Sequence, residues 1–144
     1  MKITALFIVV LGFGVLVPSV RAEESFDVFW AKFRSAVIKN DKATVISLVQ
    51  VPFSLGYDPS AKNDEAFIKT KAGFERNYKR IFNDEVDAAK CFEKAVPTKD
   101  EGEGAYSVGC KFKTEPEGSE EPFVYSFKLT PKGWRLVSFE NINE

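Results

Sequence analysis

The sequence contains no histidine, and only two cysteines and one methionine, among its 144 residues. Without histidine, a Ser–His–Asp triad, a Cys–His pair and every histidine-containing metal site are excluded. A glycine-rich phosphate loop and a dinucleotide fingerprint are also missing from the sequence. These absences favour a protein that is not an enzyme. We expect it to have no catalytic residue, no metal site and no cofactor.

Neither sign of charge is in large excess, since 20 lysines and arginines stand against 21 aspartates and glutamates. Binding to a phosphate backbone needs a basic surface. Attraction to an anionic membrane needs a cluster of basic residues, and the sequence has no such run. We therefore expect no nucleic-acid partner, and no membrane association once the amino-terminal segment is removed.

The apolar run at residues 3–17 is too short for a membrane span, because a spanning helix needs about 20 residues. Lys2 precedes the run, Pro18 ends it, and 20–22 (VRA) places small or aliphatic residues where a signal peptidase reads. Residues 1–22 are predicted to be a cleaved signal peptide, which sends the protein to the periplasm or outside the cell. The alternative is an uncleaved anchor helix.

Residues 23–144 then form one predicted domain of 122 residues. Removal of Lys2 and Arg21 leaves 18 basic against 21 acidic residues, a net charge of −3. In an oxidising compartment an even number of cysteines favours a disulfide, here between Cys91 and Cys110. The alternative is two buried thiols.

The stripe of apolar residues at 26, 29, 30, 33 and 37 has the spacing of one helix face, so a helix is predicted from Phe26 to Val37. Further helices are expected after Asp41, over 64–82 with a break near Gly73, and over 85–95. A short strand is expected over 53–57, where apolar and polar residues alternate.

The last third of the sequence alternates apolar and polar residues over 105–113 and 122–130, which indicates two half-buried strands. A third strand, 134–141, is apolar on both faces, with Trp134 and Leu136 on one face and Val137 and Phe139 on the other. Such a strand belongs in the middle of a sheet or at a dimer contact. The order of elements predicts an α+β domain whose helices pack on a curved antiparallel sheet.

Four stretches resemble small exported bacterial proteins of the NTF2-like, cystatin-like superfamily: 29–37 (FWAKFRSAV), Asp41, 48–49 (LV) and 133–137 (GWRLV). The resemblance implies a cone of sheet and helices around a pocket. In that superfamily the pocket serves ligand binding, catalysis as in the ketosteroid-isomerase-like members, or protein contacts.

The sequence is rich in aromatic residues, with 14 Phe, 4 Tyr and 2 Trp. One interpretation is a cone-shaped cavity for a small apolar or aromatic-compatible ligand. The other is a packed core, because aromatic side chains that recur at helix and strand spacings bury one another. The residues predicted to bind the ligand are Trp30, Phe33, Phe53, Tyr57, Asp58, Tyr78 and Phe82.

The leading hypothesis is therefore an exported, non-catalytic protein that binds a small molecule. A second hypothesis is an interaction or inhibitor module that acts through the sheet face or through the acidic loops 100–104 and 115–121. A third is a ketosteroid-isomerase-like enzyme that uses an Asp/Tyr pair, with Asp58 as its carboxylate. A homodimer through the sheet is compatible with each of the three.

Overall fold

The computed structural model describes residues 23–56, 66–102 and 104–143. The predicted signal peptide, Tyr57 and Asp58 lie outside the described residues. The described chain contains helices α1 Phe26–Ile38, α2 Lys42–Ser47, α3 Lys71–Arg76, α4 Tyr78–Phe82 and α5 Ala88–Lys94, and strands β1 Val49–Ser54, β2 Phe67–Ile68, β3 Thr98–Lys99, β4 Ala105–Cys110, β5 Phe123–Thr130 and β6 Gly133–Asn141.

The six strands form one sheet in the order β2-β1-β6-β5-β4-β3. Strands β4, β5 and β6 form an antiparallel meander, as the alternating pattern predicts. Strand β1 pairs with β6 in parallel, so the sheet is mixed where the sequence predicted an antiparallel one. A parallel pair needs a long connection, and most of the chain lies between these two strands. The result is an α+β fold in which β6 is a central strand.

Helix α1 lies on this sheet by its aromatic face, as predicted. Ser25 is the N-cap, because its hydroxyl accepts a hydrogen bond from the Val28 amide at 3.4 Å. Phe29 and Phe33 are fully buried. Their rings meet that of Phe127 on β5 in edge contacts, with centroids 5.8 and 5.3 Å away respectively. The helix is therefore anchored at the centre of the sheet.

A bulge in β6 changes the predicted face of Phe139. Ser126 pairs with Ser138, but Phe127 pairs with Leu136, which leaves Val137 as an extra residue. An extra residue reverses the alternation beyond it. Phe139 consequently lies opposite Tyr125 on the core side, together with Leu136 rather than on the other face.

The helices between β1 and β4 are shorter than predicted. Residues 67–68 are strand β2, and α3 begins after Thr70, whose hydroxyl accepts a hydrogen bond from the Gly73 amide at 3.0 Å. The break falls at Asn77, between α3 and α4. The sequence predicts a strand over 53–57, whereas in the structure this strand spans Val49–Ser54. Pairing with the sheet and side-chain capping fix where these elements begin and end. The spacing of apolar residues in the sequence reveals neither of them.

Replacing Phe33 by alanine is expected to lower the free energy of unfolding by about 3–5 kcal/mol, because it leaves a cavity among the rings of the core. The matched control is Val28→Ala on the same helix, where the side chain is 57% exposed and the change is expected to stay within about 0.5 kcal/mol. Urea unfolding followed by tryptophan fluorescence measures both. Equal effects at the two positions would contradict the packing described for α1.

Candidate functional site

Most of the residues predicted to line an aromatic cavity lie inside the packed core. Phe33, Phe53, Phe82 and Tyr78 are at most 3% exposed. The ring of Phe82 lies 4.6 Å from that of Tyr78 and 6.5 Å from that of Phe33. In this part of the core, the described aromatic rings contact one another.

Trp30 and Phe53 join the same core from different sides. Trp30 is half-buried and makes edge contacts with Phe92 at 5.1 Å and Phe127 at 5.7 Å. Phe53 meets Phe74 at 5.0 Å. The prediction that these aromatic residues bind a ligand stays a prediction, and the structure gives each of the described ones a packing role.

Two neighbouring tyrosines differ in how their hydroxyl groups are satisfied. The Tyr125 hydroxyl donates a hydrogen bond to the Ile81 carbonyl at 2.5 Å. The buried Tyr78 hydroxyl has no hydrogen-bond partner among the described residues. Burial, and secondarily the negative charge of Asp41, raise the pKa of Tyr78 to about 12. Burial, and secondarily Tyr78, raise the pKa of Tyr125 well above its usual value.

The carboxylate that influences Tyr78 does not have the properties of a general base. Hydrogen bonds from the Thr44 hydroxyl (2.7 Å) and the Thr44 amide (3.2 Å) lower the pKa of Asp41. A base of the isomerase type needs a raised pKa, so this shift has the opposite direction. Asp41 instead acts as the N-cap of α2.

An open cleft of about 250 Å³ lies elsewhere, between α5 and the chain that follows β4. Four lysines and four carboxylates line it, and none of its described lining residues is aromatic. The lining residues are Asp87, Lys90, Cys91, Glu93, Lys94 and Ala95 from the α5 region, and Gly109, Lys111, Lys113, Glu117, Gly118, Ser119 and Glu121 from β4 and the loop after it.

Local hydrogen bonds hold both walls of the cleft. Asp87 begins α5, since its carboxylate accepts a hydrogen bond from the Lys90 amide at 3.1 Å. On the other wall, the Lys111 ammonium donates to the Glu115 carbonyl at 2.5 Å. The Lys113 ammonium donates to the Asn83 carbonyl at 3.3 Å, and so reaches back towards the start of α5. These two lysines order the loop.

Gly109 forms part of the cleft floor because it has no side chain. A Cβ atom at this position would lie 2.9 Å from Glu121 Oε2 and 3.2 Å from Glu121 Cβ. Any larger residue would therefore displace Glu121. The glycine therefore lets the Glu121 side chain lie directly over the backbone of β4.

The two cysteines that the sequence analysis paired are bonded to each other and join the walls of the cleft. Cys91 belongs to α5, Cys110 ends β4, and their Cα atoms are 5.9 Å apart. Cys110 is fully buried, whereas Cys91 is half-buried and lines the cleft. The bond is compatible with an oxidising compartment.

Sequence reasoning missed the cleft. Its charged residues are scattered over 87–121 without a period, and they look like ordinary solvated positions. The second hypothesis places an interaction surface on the acidic loop 115–121, and this loop supplies Glu117 and Glu121 to the cleft. The usable signal was the cysteine pair, because a bond between positions 91 and 110 brings α5 beside β4.

No protein-family model matches the chain, and no curated protein matches it. Among solved structures, the chain is similar to a protein from Xanthomonas campestris described as a proposed calcium/calmodulin dependent protein kinase II association domain. The two share 11% sequence identity, over 80% of this chain and 82% of the other, with a TM-score of 0.37. Within residues 23–56, 66–102 and 104–143, no helix is long and apolar enough to cross a membrane, and no cluster of three or more side chains is arranged to hold a metal.

Replacing Tyr78 by phenylalanine is expected to raise the free energy of unfolding by about 1 kcal/mol, because it removes a buried hydroxyl without a partner. Tyr125→Phe is the matched control and is expected to lower it by about 1 kcal/mol, because the bond to Ile81 is lost. Chemical denaturation at neutral pH measures both changes.

The loss of folding stability at alkaline pH gives a second test of the Tyr78 hydroxyl. Tyr78 stays protonated in the folded state up to a pKa of about 12, against 10.0 for an ordinary tyrosine. Its contribution is therefore complete below pH 10.0 and is lost as the pH rises from 10.0 to about 12. Tyr78→Phe is expected to show a smaller alkaline loss of stability than the native chain. An equal loss, or destabilisation at neutral pH, would contradict the unpartnered hydroxyl.

Proposed function

We propose that this chain is an exported, non-catalytic binding protein of the NTF2-like kind, and that it binds a small zwitterionic molecule in the cleft beside α5. The observation that supports this most directly is the lining of the cleft, which combines four lysines with four carboxylates and no described aromatic ring. An apolar ligand would gain little from such a lining, whereas a molecule that carries both charges finds a partner for each.

The distribution of charge over the walls suggests how such a ligand lies. Each wall carries two lysines and two carboxylates. Lys111 and Lys113 donate to backbone carbonyls and Asp87 caps α5. These contacts leave Glu117 and Glu121 for a ligand on the loop wall, and Lys90, Lys94 and Glu93 on the α5 wall. An ammonium group fits beside the loop carboxylates, and a carboxylate group fits beside the α5 lysines. The volume of about 250 Å³ is just below the usual range for ligand pockets, about 300–1,000 Å³. A free amino acid or a dipeptide matches this size.

The cleft is open to solvent, which limits the strength of each ionic contact. Exposed ion pairs contribute about 0.2–1 kcal/mol each, and salt screens them over a Debye length of about 8 Å at physiological ionic strength. Weak, salt-sensitive binding is therefore expected. Such binding suits a carrier or sensor that releases its ligand readily.

Binding of glycylglycine, measured by isothermal titration calorimetry at low ionic strength, tests this function. We expect Glu121→Gln and Lys94→Gln each to weaken binding by about two- to fivefold, corresponding to the loss of one exposed ion pair. Glu75→Gln and Lys79→Gln are the matched controls. Both residues are exposed on α3 and α4, away from the cleft lining, and should leave binding unchanged.

Three further probes separate the alternatives. Succinate and putrescine carry only one sign of charge and are expected to bind more weakly than glycylglycine. Indole tests the second candidate, a cavity for an apolar ligand beside the aromatic core, for which the unpartnered Tyr78 hydroxyl is the supporting observation. If indole binds and glycylglycine does not, the zwitterion site is wrong and the aromatic site takes its place.

Export is the other half of the proposal, supported by the signal-peptide pattern of the sequence and by the disulfide. The protein recovered from the periplasm or the medium is expected to begin at Glu23, one or two residues either way. The intact mass under non-reducing conditions checks both the cut and the bond. A full-length protein that stays in the cytoplasm with two free thiols would contradict export.

A further inference from the structure

The Cys91–Cys110 bond joins the two sides of the cleft. It joins α5, which supplies one wall, to the end of β4, where Gly109 and Lys111 flank Cys110 and line the cleft. Cys91 Sγ lies 3.5 Å from the Gly109 carbonyl oxygen, and both residues line the cleft. The bond is therefore part of the site and not a remote brace.

Other contacts hold α5 in the fold without help from the bond. The Arg34 guanidinium of α1 donates to the carbonyls of Phe92 and, at 2.7 Å, Glu93. The Phe92 ring is fully buried and meets both Trp30 and Tyr125 at 5.1 Å. These contacts fix the inner side of the helix. The disulfide fixes the side that faces the cleft, so its loss frees that wall while the core remains.

The two sulfur atoms differ in access. Cys110 is fully buried, and Cys91 is half-buried in the wall of the cleft. Cys91 lines the cleft and Cys110 is buried, so a thiolate that attacks the bond is expected to do so at Cys91, from the cleft. A molecule that occupies the cleft lies in the same path.

We propose, on the basis of the function proposed above, that ligand binding in the cleft is linked to the redox state of the Cys91–Cys110 pair. With the bond intact, the cleft binds its zwitterionic ligand, and the bound ligand shields Cys91 from reduction. With the bond reduced, the α5 wall is released and binding weakens. A ligand that prefers the oxidised chain must also make reduction of the bond less favourable, because equilibrium coupling is reciprocal. The shielding of Cys91 is a separate, kinetic effect of the occupied cleft.

The chemistry requires a dithiol as reductant. One thiolate of the dithiol attacks Cys91 Sγ and forms a mixed disulfide. The Cys91–Cys110 bond breaks, and Cys110 leaves with the electron pair and takes a proton. The second thiol of the reductant then attacks the mixed disulfide and releases Cys91 as a thiol. The protein gains two electrons and two protons, and the dithiol becomes a cyclic disulfide.

The first experiment compares glycylglycine affinity in the oxidised chain, the dithiothreitol-reduced chain and the Cys91→Ala/Cys110→Ala variant. We expect at least fivefold weaker binding in the last two, with an unchanged far-ultraviolet circular dichroism spectrum. Equal affinity in all three would overturn the inference and leave the proposed function standing. Absence of binding to the oxidised chain would overturn both.

The second experiment needs no variant and holds even if the reduced chain unfolds. The native chain is reduced with dithiothreitol, with and without saturating glycylglycine, and its free thiols are trapped and counted by mass spectrometry over time. We expect reduction to slow with the dipeptide, because the bound molecule blocks access to the attacked sulfur, and we expect the mixed disulfide to form on Cys91. An unchanged rate, or a first adduct on Cys110, would overturn the inference.

Discussion

The contact between the aromatic face of α1 and the centre of the sheet is the interaction on which the rest of this structure depends. Phe29 and Phe33 are fully buried against Phe127 of β5. Aromatic side chains bury large areas and prefer the edge and offset contacts seen here. Among the described aromatic residues, all but Phe67, which is 48% exposed, lie in the core or pack against it. A polar ligand is left with a site at the margin of the fold.

Helix α5 shows how such a marginal site arises from an amphipathic element. Its inner side inserts Phe92 into the core and offers its last carbonyls to Arg34. Its outer side carries the charges that form one wall of the cleft. A short helix can hold this position because it is attached in two ways. Its inner side packs in the core, and the disulfide bonds it to β4 on the other side. Closing a loop of this length contributes about 3 kcal/mol in the chain-entropy model.

The parts of the fold that follow a local period could be predicted from the sequence. Helix α1 and strands β4 and β5 lie where the apolar spacing predicts them. The parallel pairing of β1 with β6, and the bulge at Val137, could not be predicted, because partner choice and register are set by contacts far apart in the chain. The cleft could not be predicted for a related reason. Charged residues without a period carry no signal until the fold brings them together, and the signal in the sequence that links the two walls is the cysteine pair.

A crystal structure of the native protein under xenon pressure tests the central claim, that α1 and the sheet close on a filled aromatic core. Xenon binds in dry apolar cavities and does not enter a core that side chains already fill. The account predicts no xenon between α1 and the sheet, next to Phe33, Phe82 or Phe127. A well-occupied xenon atom among those rings would contradict it. That result would show a hollow cone and place the binding site inside the aromatic core, away from the cleft beside α5.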